Sequence, residues 1–283
     1  MGRDRHEISL TGLRGEGPVL EGRDPGRGAV RGWKRTGWVC WNLYFYVLLV
    51  FFSLVYIPVL TLLLVCQAPF VSRRCRHRML RRAICGYGWG IIHVLAWPFV
   101  CVRVEGYRPP PGVGAHAIVC NHRSASDPFL MAGLPVGEFV QVVNRWPMHL
   151  PVWGIVARVA GYLSIREMPV NEFLDRAARL AREGVSIVAF PEGTRAGGYE
   201  MGAFHGTVFR LCLQERVPIL PVCISGNERT PPRGSRILQP ATVTLRVLQP
   251  LRWEQYGQLS SFQLKNVVRK VIADELAAME GRS

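Results

Sequence analysis

Apolar and polar positions change their pattern three times along the 283-residue chain. The first 30 residues are rich in Gly, Arg and Asp without periodicity. They read as a disordered basic tail reaching to about residue 36. From Trp38 to Cys66 there is no charged residue, a run of 29. As a helix this run would be about 43 Å long at about 1.5 Å per residue, against a bilayer core of about 30 Å. Two readings stay open: one long tilted span, or a hairpin of two short helices bent back near Pro58, whose ring removes a backbone donor. The late start and the length argue against a cleaved signal peptide. A second apolar stretch, Ile84 to Val102, carries Gly86, Gly88, Gly90, His93 and Pro98. It reads as a helix lying on the membrane or domain surface and leading into a strand, although each glycine costs about 1 kcal/mol against alanine in a helix.

Beyond Pro98 short apolar runs alternate with amphipathic ones. Strands are predicted at Phe99–Glu105, His116–Cys120, Phe139–Val143, Val185–Phe190, Pro218–Ser225 and Thr242–Leu248. Helices are predicted after Asp127-Pro128, over Asn171–Glu183 with Asn171 as cap and Gly184 as stop, and over Ala203–Glu215. A last helix is predicted over Ser261–Met279, with a capping box from Ser260 and Gln263. Continuous apolar strands between helices imply an α/β fold, a mostly parallel buried sheet flanked by helices. Preceding it is an N-terminal membrane-associated helical hairpin or span. The expected domains are the tail at 1–36, the membrane-associated helical segment at 37–97, and a catalytic domain at 98–283. Pro218 and Pro221 in one strand point to either an edge or a special wall, the plainer reading being a distorted edge strand, since proline breaks an interior ladder.

Charge sharpens this picture. The formal net charge is +15, and only Lys34, Lys265 and Lys270 among 35 basic residues are lysines. Arginine bias has a plain origin in base composition; its functional reading is attraction to anionic headgroups or phosphate ligands. A nucleic-acid reader has no use for the apolar segment. Basic residues flank that segment on both sides, Arg27, Arg31, Lys34 and Arg35 before it and Arg73, Arg74, Arg76, Arg78, Arg81 and Arg82 after. A simple span biases one side only, so two basic flanks favour a hairpin held on one anionic face. The eight cysteines include no CxxC pair, and several lie in apolar runs. They read as reduced structural thiols in the cytosol, with neither a zinc site nor a disulfide framework.

The candidate chemistry lies at strand ends. His122 follows the second strand, and Asp127, five positions on, would cap a helix and stay ionised there. Such a pair can take a proton from an alcohol, the carboxylate fixing the tautomer and steadying the imidazolium. On this stretch alone the plainer reading is a cap and a loop residue. No GxSxG elbow occurs, which argues against a covalent serine hydrolase. The turn Glu192-Gly193-Thr194-Arg195 also follows a buried strand. Gly193 permits close backbone approach, and Thr194 and Arg195 are donors suited to phosphate. Taken alone it reads equally well as a surface turn. Arg166 ends the stretch that begins at Gly161, and alone reads as a solvated arginine.

Together, Asn121-His122 through Asp127, Gly161 through Arg166, Phe190 through Arg195, and Val217-Pro218-Ile219-Leu220-Pro221 resemble the four ordered blocks of the glycerolipid acyltransferase family, of the 1-acylglycerol-3-phosphate acyltransferase type. The resemblance covers about residues 100–228. It implies His122 as general base with Asp127 as its partner. It implies Arg166, Glu192, Gly193, Thr194 and Arg195 at the acceptor's phosphate, and Pro221 on the acyl side of the site. It implies acyl-CoA or acyl-carrier protein as co-substrate donor, a lysophospholipid acceptor, and neither cofactor nor metal. Anionic membrane lipids are the expected surroundings, on the cytoplasmic face of the cell membrane. The same blocks serve acceptors such as glycerol-3-phosphate and lyso-ornithine lipid, and a transacylase or hydrolase is a further alternative. Two departures bear on the acceptor: Phe204-His205-Gly206 stands where relatives often carry lysine, and Asn144-Arg145 stands where the preceding strand often ends in lysine.

Overall fold

The computed structural model describes residues 35–67, 69–150, 152–195, 200–232 and 234–281; the expected N-terminal tail, apart from the backbone of its last two residues, lies outside these. Two long helices come first, α1 (Arg35–Gln67) and α2 (Arg73–Gly90), the latter running into a π-helical turn at Ile91–Leu95. Strands β1 (Val100–Gly106) and β2 (Ala117–Cys120) follow, then the short α3 (Asp127–Leu130) and β3 (Phe139–Gln141). Next are α4 (Arg145–Met148), α5 (Trp153–Ala160), α6 (Val170–Arg182), β4 (Ser186–Ala189), α7 (Thr207–Glu215) and β5 (Ile219–Ser225). The chain ends with β6 (Ala241–Val247), α8 (Trp253–Tyr256) and α9 (Ser261–Met279).

The six strands form one sheet in the order β1-β6-β5-β2-β4-β3. Every neighbouring pair is parallel except β5–β6, so the expected mostly parallel sheet is present with one antiparallel seam. Helices cover both faces. Ile118 and Cys120 of β2 point into a core with Trp41, Phe45, Tyr87 and Ile92, on the side of α1 and α2. Ala117 and Val119 point the other way, toward Phe209 of α7 and Leu264, Val268 and Ile272 of α9. The α9 capping box forms as the sequence predicts, Ser260 Oγ accepting from the Gln263 N–H and the Gln263 side chain from the Ser260 N–H.

Helix α1 runs without interruption through Pro58, so the apolar segment does not fold back on itself there. The reversal comes later, between Gln67 and Arg73, where Ser72 caps α2 by accepting from the Cys75 N–H. A stripe of Trp41, Phe45, Leu49, Phe52 and Tyr56 lies against the domain, and that tertiary packing outweighs one missing donor. Asn42 ties the same helix to the β5–β6 connection with two hydrogen bonds to the Leu238 backbone. The glycines of α2 serve close packing. A Cβ at Gly86 would lie 3.0 Å from the Tyr56 hydroxyl, at Gly88 3.3 Å from Ala132 Cβ, and at Gly90 3.0 Å from Phe52. Part of the expected basic flank is spent inside the protein: Arg78 and Arg81 both pair with Glu138, and Arg81 is buried.

Other expectations shift by local physics. Helix α6 starts at Val170 behind Pro169, not at an Asn171 cap, because proline supplies the extended turn-in. Helix α7 starts only at Thr207, because the His205 N–H is held by the Pro191 carbonyl and Phe204 is drawn into the core. The strand carrying Pro221 is interior, flanked by β2 and β6, not an edge. Its partner bulges at that point: Val222 pairs with Val247 but Ile219 with Leu251, leaving one extra residue on the β6 side. The missing proline N–H falls where the ladder is already interrupted.

Candidate active site

Sheet register brings the candidate loops to one edge. Val119 of β2 is level with Ala189 of β4, and Gln141 of β3 with Val188. Val142, the next level along, bridges in parallel to Leu163. Three residues beyond that common level stand His122, Glu192 and Arg166 on three separate chain segments. Strand ends at the carboxyl edge of a parallel sheet are where α/β folds place ligands. Arg166, exposed, is three strand positions from β2, about 14 Å across the sheet at about 4.8 Å per strand. It belongs to the rim of the site, whereas Glu192 is directly adjacent to His122.

His122 Nδ1 lies 2.8 Å from Asp127 Oδ2, with Asp127 fully buried and the imidazole 18% exposed. Asp127 Oδ2 also accepts the backbone N–H groups of Arg123 at 2.8 Å and Ser124 at 2.9 Å, while Oδ1 accepts from Asn227 Nδ2. The cap of α3 is Ser126, and Asp127 is the first helical residue. The carboxylate therefore turns back onto the loop before it and does not cap the turn after it. Its backbone donors come from residues 123 and 124, close enough in sequence to curl round one oxygen. An acceptor-only carboxylate facing Nδ1 makes that nitrogen the N–H donor and leaves the Nε2 lone pair free. Among the described residues no protein group bonds Nε2.

By alternation along β2, His122 continues the face of Ile118 and Cys120, the face covered by α1 and α2. Phe190, packed on that same core, lies with its ring 4.8 Å from the imidazole. Pro221 stands on the opposite face with Ile219 and Cys223, because side chains alternate; Leu220 and Val222 are the β5 residues on the imidazole's side. Glu192 is buried, and its carboxylate accepts the His122 N–H at 2.8 Å and the Gly202 N–H at 2.8 Å. Burial pushes its carboxyl pKa up, opposed by those two N–H bonds and by the charges of His122 and Arg123. Glu192 thus braces the histidine loop, and its acceptor oxygens offer nothing to a phosphate. Gly193 takes φ +69, with the His205 ring packed against it, 3.1 Å from where a Cβ would sit. Thr194 is exposed and Arg195 half-exposed at the open end of this turn.

Further residues complete the site by tying the histidine loop to distant parts of the chain. Asn121 bonds both the N–H and the carbonyl of Ile224, stitching the end of β2 to β5. Asn227 supports Asp127 from the loop after β5, which Gly226 turns at φ +81. Arg123 is buried and pairs with Glu228 at 2.6 Å and with Glu280 beyond α9. Ser124 Oγ donates to the Thr230 carbonyl at 2.7 Å, so Ser124 is a loop strut. Only Asn121 had a signal in the sequence, its position at the end of a strand directly before the histidine.

Comparison with known proteins agrees with this geometry. Residues 101–225 match the family model described as Acyltransferase. The chain is 26% identical over 224 residues to the 1-acyl-sn-glycerol-3-phosphate acyltransferase BAT2, chloroplastic, of Brassica napus, covering 77% of this chain and 62% of the relative. It is 25% identical over 168 residues to the human 1-acyl-sn-glycerol-3-phosphate acyltransferase alpha, covering 58% of this chain and 59% of the relative. The chain thus spans about three fifths of the length of these curated relatives. Among solved structures, the 1-acyl-sn-glycerophosphate acyltransferase PlsC of Thermotoga maritima superposes with TM-score 0.70 at 24% identity, covering 87% of this chain and 97% of that one.

Proposed function

We propose that this chain, which carries a PlsC-like acyltransferase domain, transfers a fatty acyl group from a thioester to the free hydroxyl of 1-acyl-sn-glycerol-3-phosphate, giving phosphatidate. The observation carrying this reading is the His122–Asp127 pair, with Nε2 open on the sheet face covered by the apolar helices. Nε2 takes the acceptor's hydroxyl proton as the oxygen attacks the thioester carbonyl. Asp127, held in place by its four hydrogen bonds, steadies the imidazolium. The tetrahedral adduct then collapses, the C–S bond breaks, and the imidazolium returns its proton to the leaving thiolate. The donor is acyl-CoA or acyl-carrier protein, a co-substrate, and the reaction as drawn calls on no cofactor or metal. Thr194 and Arg195, with Arg166 on the rim, attract the acceptor's phosphate.

Membrane attachment is part of the proposal. Trp41 to Tyr56 pack on the domain, and Ile57, Leu60 and Leu64 line a groove beside α2 and α5, so α1 keeps one side against protein nearly to its end. Immersion in one leaflet, at the cytoplasmic face of the cell membrane, fits this better than a crossing. The test uses protein purified in detergent with long-chain acyl-CoA and a panel of lysolipid acceptors, products being identified by mass. Phosphatidate formation, lost in His122→Ala while fold and vesicle binding remain, is the expected result. Near-normal transfer by His122→Ala would overturn it.

A further inference from the structure

Helix α5 is built inside out for a protein in water. Its inward positions carry the small residues Gly154, Ala157 and Ala160, and a Cβ at Gly154 would meet the Met148 carbonyl oxygen at 2.1 Å. Trp153 packs on the Tyr87 ring, but the aliphatic residues turn outward: Ile155 is 62% exposed, and Val152 and Val159 stand beside it. The preceding α4 adds Trp146, 67% exposed, and Leu150. A helix on a soluble domain turns its apolar stripe to the core. Here the small side lets α5 close on α2, where Arg81 Nε donates to the Ala160 carbonyl at 2.9 Å. The large side is left without a partner among the described residues.

We propose that the outer face of α4 and α5 is a second membrane-contact surface, carried by the catalytic domain and seated at the headgroup level of an anionic bilayer. Three observations select lipid as the occupant. First, this face continues the exposed apolar flank of α1 across a groove lined by Ile57, Leu60 and Leu64 of α1 and by Trp153 and Val156 of α5. Whatever solvent bathes α1 bathes α5 as well. Secondly, exposed Arg158 lies on the same face with no ion-pair partner among the described residues, and exposed Arg145 flanks it. Cations beside apolar side chains suit anionic headgroups over acyl chains. Thirdly, Trp146 of α4 is 67% exposed, and tryptophan is a residue that settles at a membrane interface. Both α4 and α5 lie between β3 and Leu163, on the edge that carries His122. Seating them on the bilayer brings that edge to the level of the lipid headgroups.

This inference rests on the immersion of α1, not on acyl transfer, and its test separates the two. The full chain and Trp146→Phe are reconstituted in phosphatidylglycerol–phosphatidylcholine vesicles with brominated acyl chains, and the Trp146 emission is obtained by difference. Quenching of that component is expected. If the remaining emission is quenched while the Trp146 component is not, the surface stays off the membrane and the proposal is overturned, whatever the enzyme does. As a second arm, Ile155→Asp/Val159→Asp places charges only at exposed positions. It should raise KM for acceptor presented in vesicles by about tenfold, with kcat and the turnover of a short-chain monomeric acceptor unchanged. Equal kinetics on vesicles, or wild-type dimers that the double variant converts to monomers in sedimentation, would refute lipid as the occupant.

Discussion

Replacing Asp127 with asparagine isolates the contribution of charge to the proposed catalytic pair, His122 and Asp127. The Asp127 carboxylate accepts from His122 Nδ1, two backbone N–H groups and Asn227 Nδ2. An asparagine keeps an oxygen toward the first three and presents its NH2 to Asn227. Asn227 can answer by rotating its amide, since its own Oδ1 is buried and has no hydrogen-bond partner among the described residues. The fold and the imidazole tautomer therefore survive, and the negative charge is lost. For charge centres about 4 Å apart at an effective dielectric of about 20, the attraction to a developing imidazolium is about 4 kcal/mol. That corresponds to about a thousandfold in rate, at about 1.4 kcal/mol per decade. The assay is steady-state phosphatidate formation in detergent, with circular dichroism and a thermal melt on the same sample. A cooperative melt with kcat/KM down about a thousandfold is the expected result. A folded variant losing less than tenfold would refute the assignment of Asp127 as electrostatic partner of His122.

The other expected outcomes follow from neighbouring contacts. Arg195→Ala should raise KM for 1-acylglycerol-3-phosphate by about 10–100-fold, the worth of one or two charge-assisted hydrogen bonds; an equal loss with a phosphate-free acceptor would remove Arg195 from the phosphate. Gly226→Ala places a Cβ 2.2 Å from the Thr242 carbonyl oxygen at φ +81. It should cost about 1–3 kcal/mol in urea unfolding and lower kcat by displacing Asn227 from Asp127, and unchanged stability would refute the strain argument. Glu192 has its folded pKa raised by burial, so its proton-linked stabilisation is complete below the unfolded value of about 4.3 and is lost as pH rises through the folded value. The stability of wild type relative to Glu192→Gln should accordingly fall across that window in urea melts, and a rising difference would contradict the sign.

Much of this protein is legible in its residues because the relevant physics is local. The Ser260–Gln263 box and the stop at Gly184 are set within one turn of chain, and α9 and the end of α6 form where they predict. The two members of the His122–Asp127 pair are five residues apart, so one loop suffices to join them. Alternation of apolar strands with helices likewise fixes an α/β sheet, because buried strands need cover on both faces. The tertiary structure decided what depends on partners far along the chain. Asn227 reaches Asp127 across 100 residues and Glu280 reaches Arg123 across 157, distances over which no periodicity carries information. Pro221 suits an interior strand only because β6 bulges beside it. Arg81 is a buried strut among surface arginines of the same spacing because Glu138 and the end of α5 meet it. The sequence could place apolar residues on helices α1 and α5. Only packing, by turning the small side of α5 inward and burying one stripe of α1, determined which of those residues are left facing outward.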